Sequence, residues 1–151
     1  MLLSDIPALA AHRAPDVTAI RFQDRTFTYV QLRDRCWRLS NAVAQVVEPG
    51  DRVAILAENC PEYTECYYGI PGAGMALTLL NYRLTARELA YIIGNSEPSV
   101  LIVEPKYLAT IEQIREQIPS VSTLVLIGAD AEGCVSYEDF IATGEPTARP
   151  M

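Results

Sequence analysis

The residues best suited to chemistry are three glycines, Gly69, Gly72 and Gly74, set in "GIPGAGMALTLLNYRLT" just ahead of an apolar run. Glycines at close spacing can cradle phosphate. A dinucleotide fingerprint, however, needs G-x-G-x-x-G between a strand and a helix. Here Met75, Ala76 and Leu77 follow Gly72-Ala-Gly74, so the third glycine is missing. The order is also inverted, because the glycines follow a helical stretch and precede a strand. A helix N-terminus offers amides to an anion, whereas a C-terminus offers carbonyls. The glycines are therefore expected to end the helix and let its backbone pack closely on a sheet. Pro71 is expected to stop the helix as well.

Other chemical groups are sparse. No G-x-x-x-x-G-K-[ST] loop and no G-x-S-x-G elbow occurs. The single histidine, His12, lacks a triad partner and reads as a surface residue. Glu58, Glu62 and Glu65 gather near a helix start, where the macrodipole favours anions, and do not read as an acid–base pair. The four cysteines, Cys36, Cys60, Cys66 and Cys134, form no CxxC pair, which argues against zinc and against a disulfide framework. Cys36 reads as a buried thiol and the compartment as reducing. On this reading no residue is assigned a catalytic, cofactor-binding or metal-binding role.

Hydrophobic periodicity gives the supporting elements. "AIRFQDRTFTY" reads as a β-hairpin turning at Gln23, Asp24 and Arg25. "TYVQ" is a capping box from Thr28 to Gln31, opening a helix whose stripe is Leu32, Cys36, Leu39, Val43 and Val46. Pro49 and Gly50 stop it. "RVAILAE" is a strand, followed by a helix capped by Asn59 or Cys60 with Pro61 in its first turn. Tyr63 and Tyr67 share a face of that helix and read as core. "MALTLL" is a strand, and Thr85 to Glu88 form a second capping box. Leu89, Ile92 and Ile93 line the helix that follows, with Gly94 as its left-handed terminus. "SVLIVE" is a strand, Pro105 opens a helix lined by Leu108, Ile111, Ile114 and Ile118, and "TLVLIG" is the last clear strand. After a short helical turn, a polar tail ends the sequence. Alternating helices and apolar strands predict a doubly wound α/β layer: a mainly parallel sheet flanked by helices, with a short N-terminal β-hairpin.

Composition sets the outer bounds. The chain has 151 residues, half of them hydrophobic, which suits one domain or part of a larger one. Formal net charge is −7, with twelve basic residues against nineteen acidic ones. That balance, without a basic run, argues against a nucleic-acid partner. The N-terminus lacks the basic start and apolar core of a signal peptide, and no apolar run reaches the roughly 20 residues of a membrane span. Peripheral membrane contact stays open, and a cytoplasmic location is expected.

Several stretches carry a family resemblance. "FTYVQL" (27–32), "GDRVAILAENCPEY" (50–63), "GAGMALTLLNYRLTARELAYII" (72–93) and "SVLIVEPKYL" (99–108) together resemble the N-terminal portion of the adenylate-forming, AMP-binding superfamily. Within it, the fit is best to acyl-CoA synthetases, or fatty-acid–CoA ligases. The "NYRLTARELAYII" form argues against an amino-acid adenylation domain. Leu79 stands where the family's second motif usually has proline, and Pro71 and Gly72 interrupt a helix that usually runs on.

The resemblance implies a fragment of a larger adenylate-forming fold. Residues 1–140 would be the N-terminal α/β subdomain, and residues 141–151 a linker leading to a phosphate loop further along. "TGEPTA" (143–148) is similar to that loop but has Thr147 in place of its lysine, so it reads as linker. ATP, Mg²⁺ and CoA are implied for the full-length parent and none for this chain. The parent would make acyl-AMP and then acyl-CoA, while the chain alone would be an inactive scaffold. Its implied partner is the C-terminal remainder of the enzyme, with self-association of the fragment open. The rival expectation is a stand-alone α/β binding module.

Overall fold

The computed structural model describes residues 1–149. Helix α1 (Asp5–Arg13) precedes an antiparallel hairpin, β1 (Thr18–Phe22) and β2 (Arg25–Thr28). The hairpin turns at Gln23, whose φ of 52° is left-handed, and at Asp24, while Arg25 already belongs to β2. Thr28 caps α2 (Tyr29–Val43) through the expected box: its hydroxyl accepts from the Gln31 amide, and the Gln31 side chain accepts from the Thr28 amide. The stripe ends earlier than expected, at Val43. Val46 lies beyond the helix and is exposed, and Val47 enters the core instead.

A five-stranded parallel sheet follows, built of β3 (Arg52–Leu56), β4 (Ala76–Leu80), β5 (Val100–Val103), β6 (Thr123–Leu126) and β7 (Val135–Ser136). Their spatial order is β4-β3-β5-β6-β7. Helices α3 (Pro61–Gly72), α4 (Ala86–Ser96), α5 (Leu108–Gln113) and α6 (Tyr137–Ala142) connect or follow them. Alternation along the strands separates two cores. Val53, Ile55, Val100, Ile102 and Val125 meet α2, α3 and α6 on one face. Ala54, Leu56, Leu101, Val103 and Leu126 meet α4 and α5 on the other. The sheet is thus buried on both sides, as its apolar runs require.

Four local expectations are corrected. Helix α3 does not stop at Pro71; it runs through to Gly72. The missing Pro71 amide deprives only the carbonyl of Tyr67, a residue 44% exposed that water can reach. Gly74 (φ 79°) then supplies the left-handed turn, with the Gly74 amide donating to Pro71 and the Met75 amide to Ile70. Second, the glycine face packs on helices rather than on the sheet. A Cβ at Gly69 would lie 2.9 Å from the Cys36 carbonyl oxygen of α2. Third, Gly94 does not end α4. The left-handed residue is Glu97 (φ 46°), just before Pro98, which cannot continue the helix. Fourth, the segment after Pro105 is a 3-10 turn (Pro105–Tyr107), then α5, then a second 3-10 turn (Arg115–Gln117). Its apolar positions still face inward, with Ile111, Ile114 and Ile118 buried.

Candidate functional site

Doubly wound sheets take ligands outside the carboxyl ends of their strands, where the strand order reverses. Here β3 lies between β4 and β5, so the reversal falls between the ends of β3 and β5. Glu58 follows β3 and Glu104 follows β5. The Glu58 amide donates to Glu104 Oε2 at 2.9 Å. Lys106 Nζ bridges both carboxylates, 2.7 Å from Glu58 and 3.3 Å from Glu104. The Tyr107 hydroxyl donates to Glu58 Oε1. Hydrogen bonds from Lys106 and Tyr107 hold the Glu58 carboxyl below its ordinary range, and the same bond to Glu58 raises the Lys106 ammonium.

The loop after β4 adds to this cluster. Asn81 Oδ1 accepts from the Arg83 amide at 3.0 Å and the Asn81 carbonyl from the Leu84 amide, a tight turn of the kind Asn favours. Thr85 then starts α4 through the expected box with Glu88. The turn sets Tyr82 against Tyr107, ring centroids 6.0 Å apart, and holds Arg83 5.6 Å from the Tyr82 ring. Lys106 lies 5.3 Å from the Tyr107 ring. Beside this cluster is a groove of about 300 Å³ lined by Ala57, Asn59, Tyr63, Leu79 and Tyr82. Among the described residues Arg83 makes no ion pair. The arrangement can stack a planar ring and offer a cation to an anionic group.

The other two carboxylates do something the sequence did not disclose. Glu62 and Glu65 are buried in the first turns of α3. Arg25 of β2 reaches Glu62 at 2.6 Å, and Arg35 of α2 reaches Glu65 at 2.6 Å. Arg35 also grips both oxygens of Glu138 on α6, and the Tyr137 hydroxyl donates to Glu65. The Phe27 ring lies near both guanidiniums, 5.2 Å from Arg25 and 5.3 Å from Arg35. Burial lifts the Glu65 carboxyl above its ordinary range, against the pull of Arg35 and Tyr137. The network ties hairpin, α2, α3 and α6 together. Its signal in the sequence was weak, since partners 30 and 103 residues apart leave no local pattern.

The remaining candidates fall as follows. His12 is exposed on α1. Cys36 and Cys66 are buried, Cys60 and Cys134 partly so, and all four are free thiols. Burial raises each thiol above its usual value, Cys60 to about 12, so none is primed as a thiolate. Tyr63 packs on the core as expected, but Tyr67 is exposed. Among the described residues no cluster of His, Cys, Asp or Glu could hold a metal ion, and no helix is long and apolar enough to cross a membrane.

Residues 8–149 match the family described as AMP-binding enzyme. The chain belongs to that family. It is 34% identical over 141 residues to the peroxisomal acetate/butyrate–CoA ligase of Arabidopsis thaliana, covering 81% of this chain and 25% of that protein. It is 37% identical over 120 residues to a long-chain-fatty-acid–CoA ligase of Thermus thermophilus, covering 78% of this chain and 22% of the relative. In structure it is similar to an anthranilate–CoA ligase crystallised with anthranoyl-AMP: TM-score 0.93 and 28% identity, over 97% of this chain and 29% of that one. The N-terminal domain of a Mycobacterium tuberculosis protein, FACL13, shares the fold at TM-score 0.89 and 23% identity. The chain thus corresponds to the N-terminal portion of an adenylate-forming acyl-CoA ligase. It spans about a quarter of the length of the curated relatives it matches.

Proposed function

We propose that this chain is the supporting N-terminal layer of an enzyme that activates a carboxylic acid with ATP and transfers the acyl group to CoA. On this reading residues 1–140 would be the layer and residues 141–151 the connection to the remainder, with Ile141 and Ala142 still completing α6 and Ile141 buried in the core. The observation carrying this reading is the overlap with a ligase that holds an acyl-adenylate, across 97% of this chain but only 29% of that enzyme. The layer's cysteines are not primed as thiolates, and its single histidine, His12, is exposed on α1. Its contribution would be a rigid platform, with Tyr82, Arg83 and Tyr107 offered to an adenine nucleotide at the sheet's switch point. Positioning and charge neutralisation would supply the catalysis.

An apolar flank supports a supporting half over a stand-alone module. Leu3, Tyr67 and Leu79 are each more than 40% exposed, and they border a groove of about 260 Å³ along the unpaired edge of β4. Contiguous apolar surface of this kind marks a packing interface. The occupant would be the remainder of the same polypeptide.

ATP–pyrophosphate exchange tests the reading. The 151-residue chain alone should give none, and the complete product of its reading frame should give exchange with a carboxylic acid. Exchange by the chain alone would overturn the scaffold assignment. Its absence from the complete product, across short, long and aromatic acids, would overturn the ligase assignment.

A further inference from the structure

The polar tail is fastened down, not loose. Beyond α6, residues 143–149 run back along α2, and two side chains of that helix, with Gln45 just past its end, hold their carbonyl oxygens. Gln45 Nε2 donates to Thr143 O at 2.9 Å. An Arg38 guanidinium nitrogen donates to Gly144 O at 3.0 Å. Asn41 Nδ2 donates to both Glu145 O at 2.7 Å and Thr147 O at 2.9 Å. Arg38 and Asn41, three apart, share one face of the helix, and Gln45 sits in the turn that follows it. Every acceptor is a main-chain oxygen. The grip therefore fixes the path of the tail without reading its side chains.

Gly144 shows how close that path runs. It is buried, and a Cβ there would lie 2.7 Å from the Ala42 nitrogen and closer still to the Arg38 carbonyl oxygen. Only glycine fits between the tail and the helix. Four hydrogen bonds and one obligatory close approach over so few residues are more than a passive linker needs.

We propose that Arg38, Asn41 and Gln45 are positioning residues for ATP use: by clamping the carbonyls of Thr143 to Thr147 they fix where the chain departs toward the phosphate loop. The inference rests on the ligase reading, in which that loop follows the tail. A loop that hangs from a fixed point spends more of its time where ATP can bind. Freeing the tail lowers the competent fraction, and apparent affinity falls by the same factor.

The test has two arms. In the first, amide hydrogen exchange is followed in the 151-residue chain and its Asn41→Ala/Gln45→Ala variant. Protection at Thr143 and Gly144, whose amides bond back to the Phe140 and Ile141 carbonyls, should fall while that of β3 and β5 holds. Unchanged exchange in the tail would sink the clamp, whatever the enzyme does. In the second, the same variant and Gly144→Ala are assayed in the complete product. KM for ATP should rise about tenfold, within the roughly hundredfold that a 1 Å misplacement can cost. The kcat at saturating ATP should stay within about twofold. A merely structural role would lower kcat through lost active protein and leave KM alone, and that result would refute positioning. If the complete wild-type protein makes no adenylate, the ligase reading and the positioning role fall together, while the exchange arm still decides the clamp.

Discussion

Replacing Arg35 by Met should unfasten the buried network in a way that depends on pH. Arg35 is 17% exposed at its side chain and Glu65 1%, so the substitution leaves a carboxylate in the core with only the Tyr137 hydroxyl to meet it. Breaking a buried pair from one side costs about 3–5 kcal/mol. Glu65 has a way out, which is to take up a proton. The unfolded carboxyl titrates near ~4.3, so protonation at pH 7 costs about 3.7 kcal/mol, and at pH 5.5 about 1.6 kcal/mol.

These values cap the penalty at each pH. The sign follows from the raised carboxyl: the folded variant binds more protons than the unfolded chain above pH ~4.3, so its stability falls as pH rises. Burial already raises Glu65 in the native protein, giving a slope of the same sign that ends at lower pH, because Arg35 favours the ion. Glu138, held below its ordinary range by Arg35, has the opposite sign: its stabilisation is present above the unfolded value and lost as pH falls. It is solvent-screened and contributes little. Urea denaturation of the 151-residue chain at pH 5.5 and 7 measures the difference. The Arg35→Met loss should grow by about 2 kcal/mol between them, and adding Glu65→Gln should abolish that growth while keeping an acceptor for Tyr137. A loss below about 1 kcal/mol at pH 7, or one equal at both pH values, would refute the buried-carboxylate account.

The same substitution should act with opposite sign at two helical glycines. Gly69→Ala forces α2 and α3 apart, because the Cys36 carbonyl is backbone and cannot swing away; urea midpoints should drop, since overpacking of about 1–3 kcal/mol exceeds the ~1 kcal/mol gained in helix propensity. Gly94→Ala meets nothing nearer than 3.9 Å and should raise stability by up to ~1 kcal/mol. Thr28→Ala removes the hydroxyl that accepts from Gln31 and should cost about 1 kcal/mol, read as earlier thermal unfolding with the hairpin's far-ultraviolet signal unchanged in the folded baseline.

Most of the scaffold was legible because it is locally encoded. The capping boxes at Thr28 and Thr85 appear as expected, and the apolar runs become the four strands from β3 to β6. What escaped was set by distant partners. Strand β7 has only Val135 and Ser136, and exists because β6 offers an edge to pair with. Glu62 and Glu65 read only as anions near a helix start, since nothing nearby announces Arg25 or Arg35. The cluster of Tyr82, Arg83, Lys106 and Tyr107 forms only once β4 and β5, flanking β3, bring two loops to its carboxyl end. The family resemblance carried the functional reading, because no motif in this sequence names a reaction by itself.

The strand order also bears on how the chain is made. Once β5 crosses to the open side of β3, β6 and then β7 each add at the newest edge, in the order of translation. Each arriving segment finds its template already laid down, and no later strand has to displace an earlier pairing. The layer can therefore assemble while the ribosome is still delivering it.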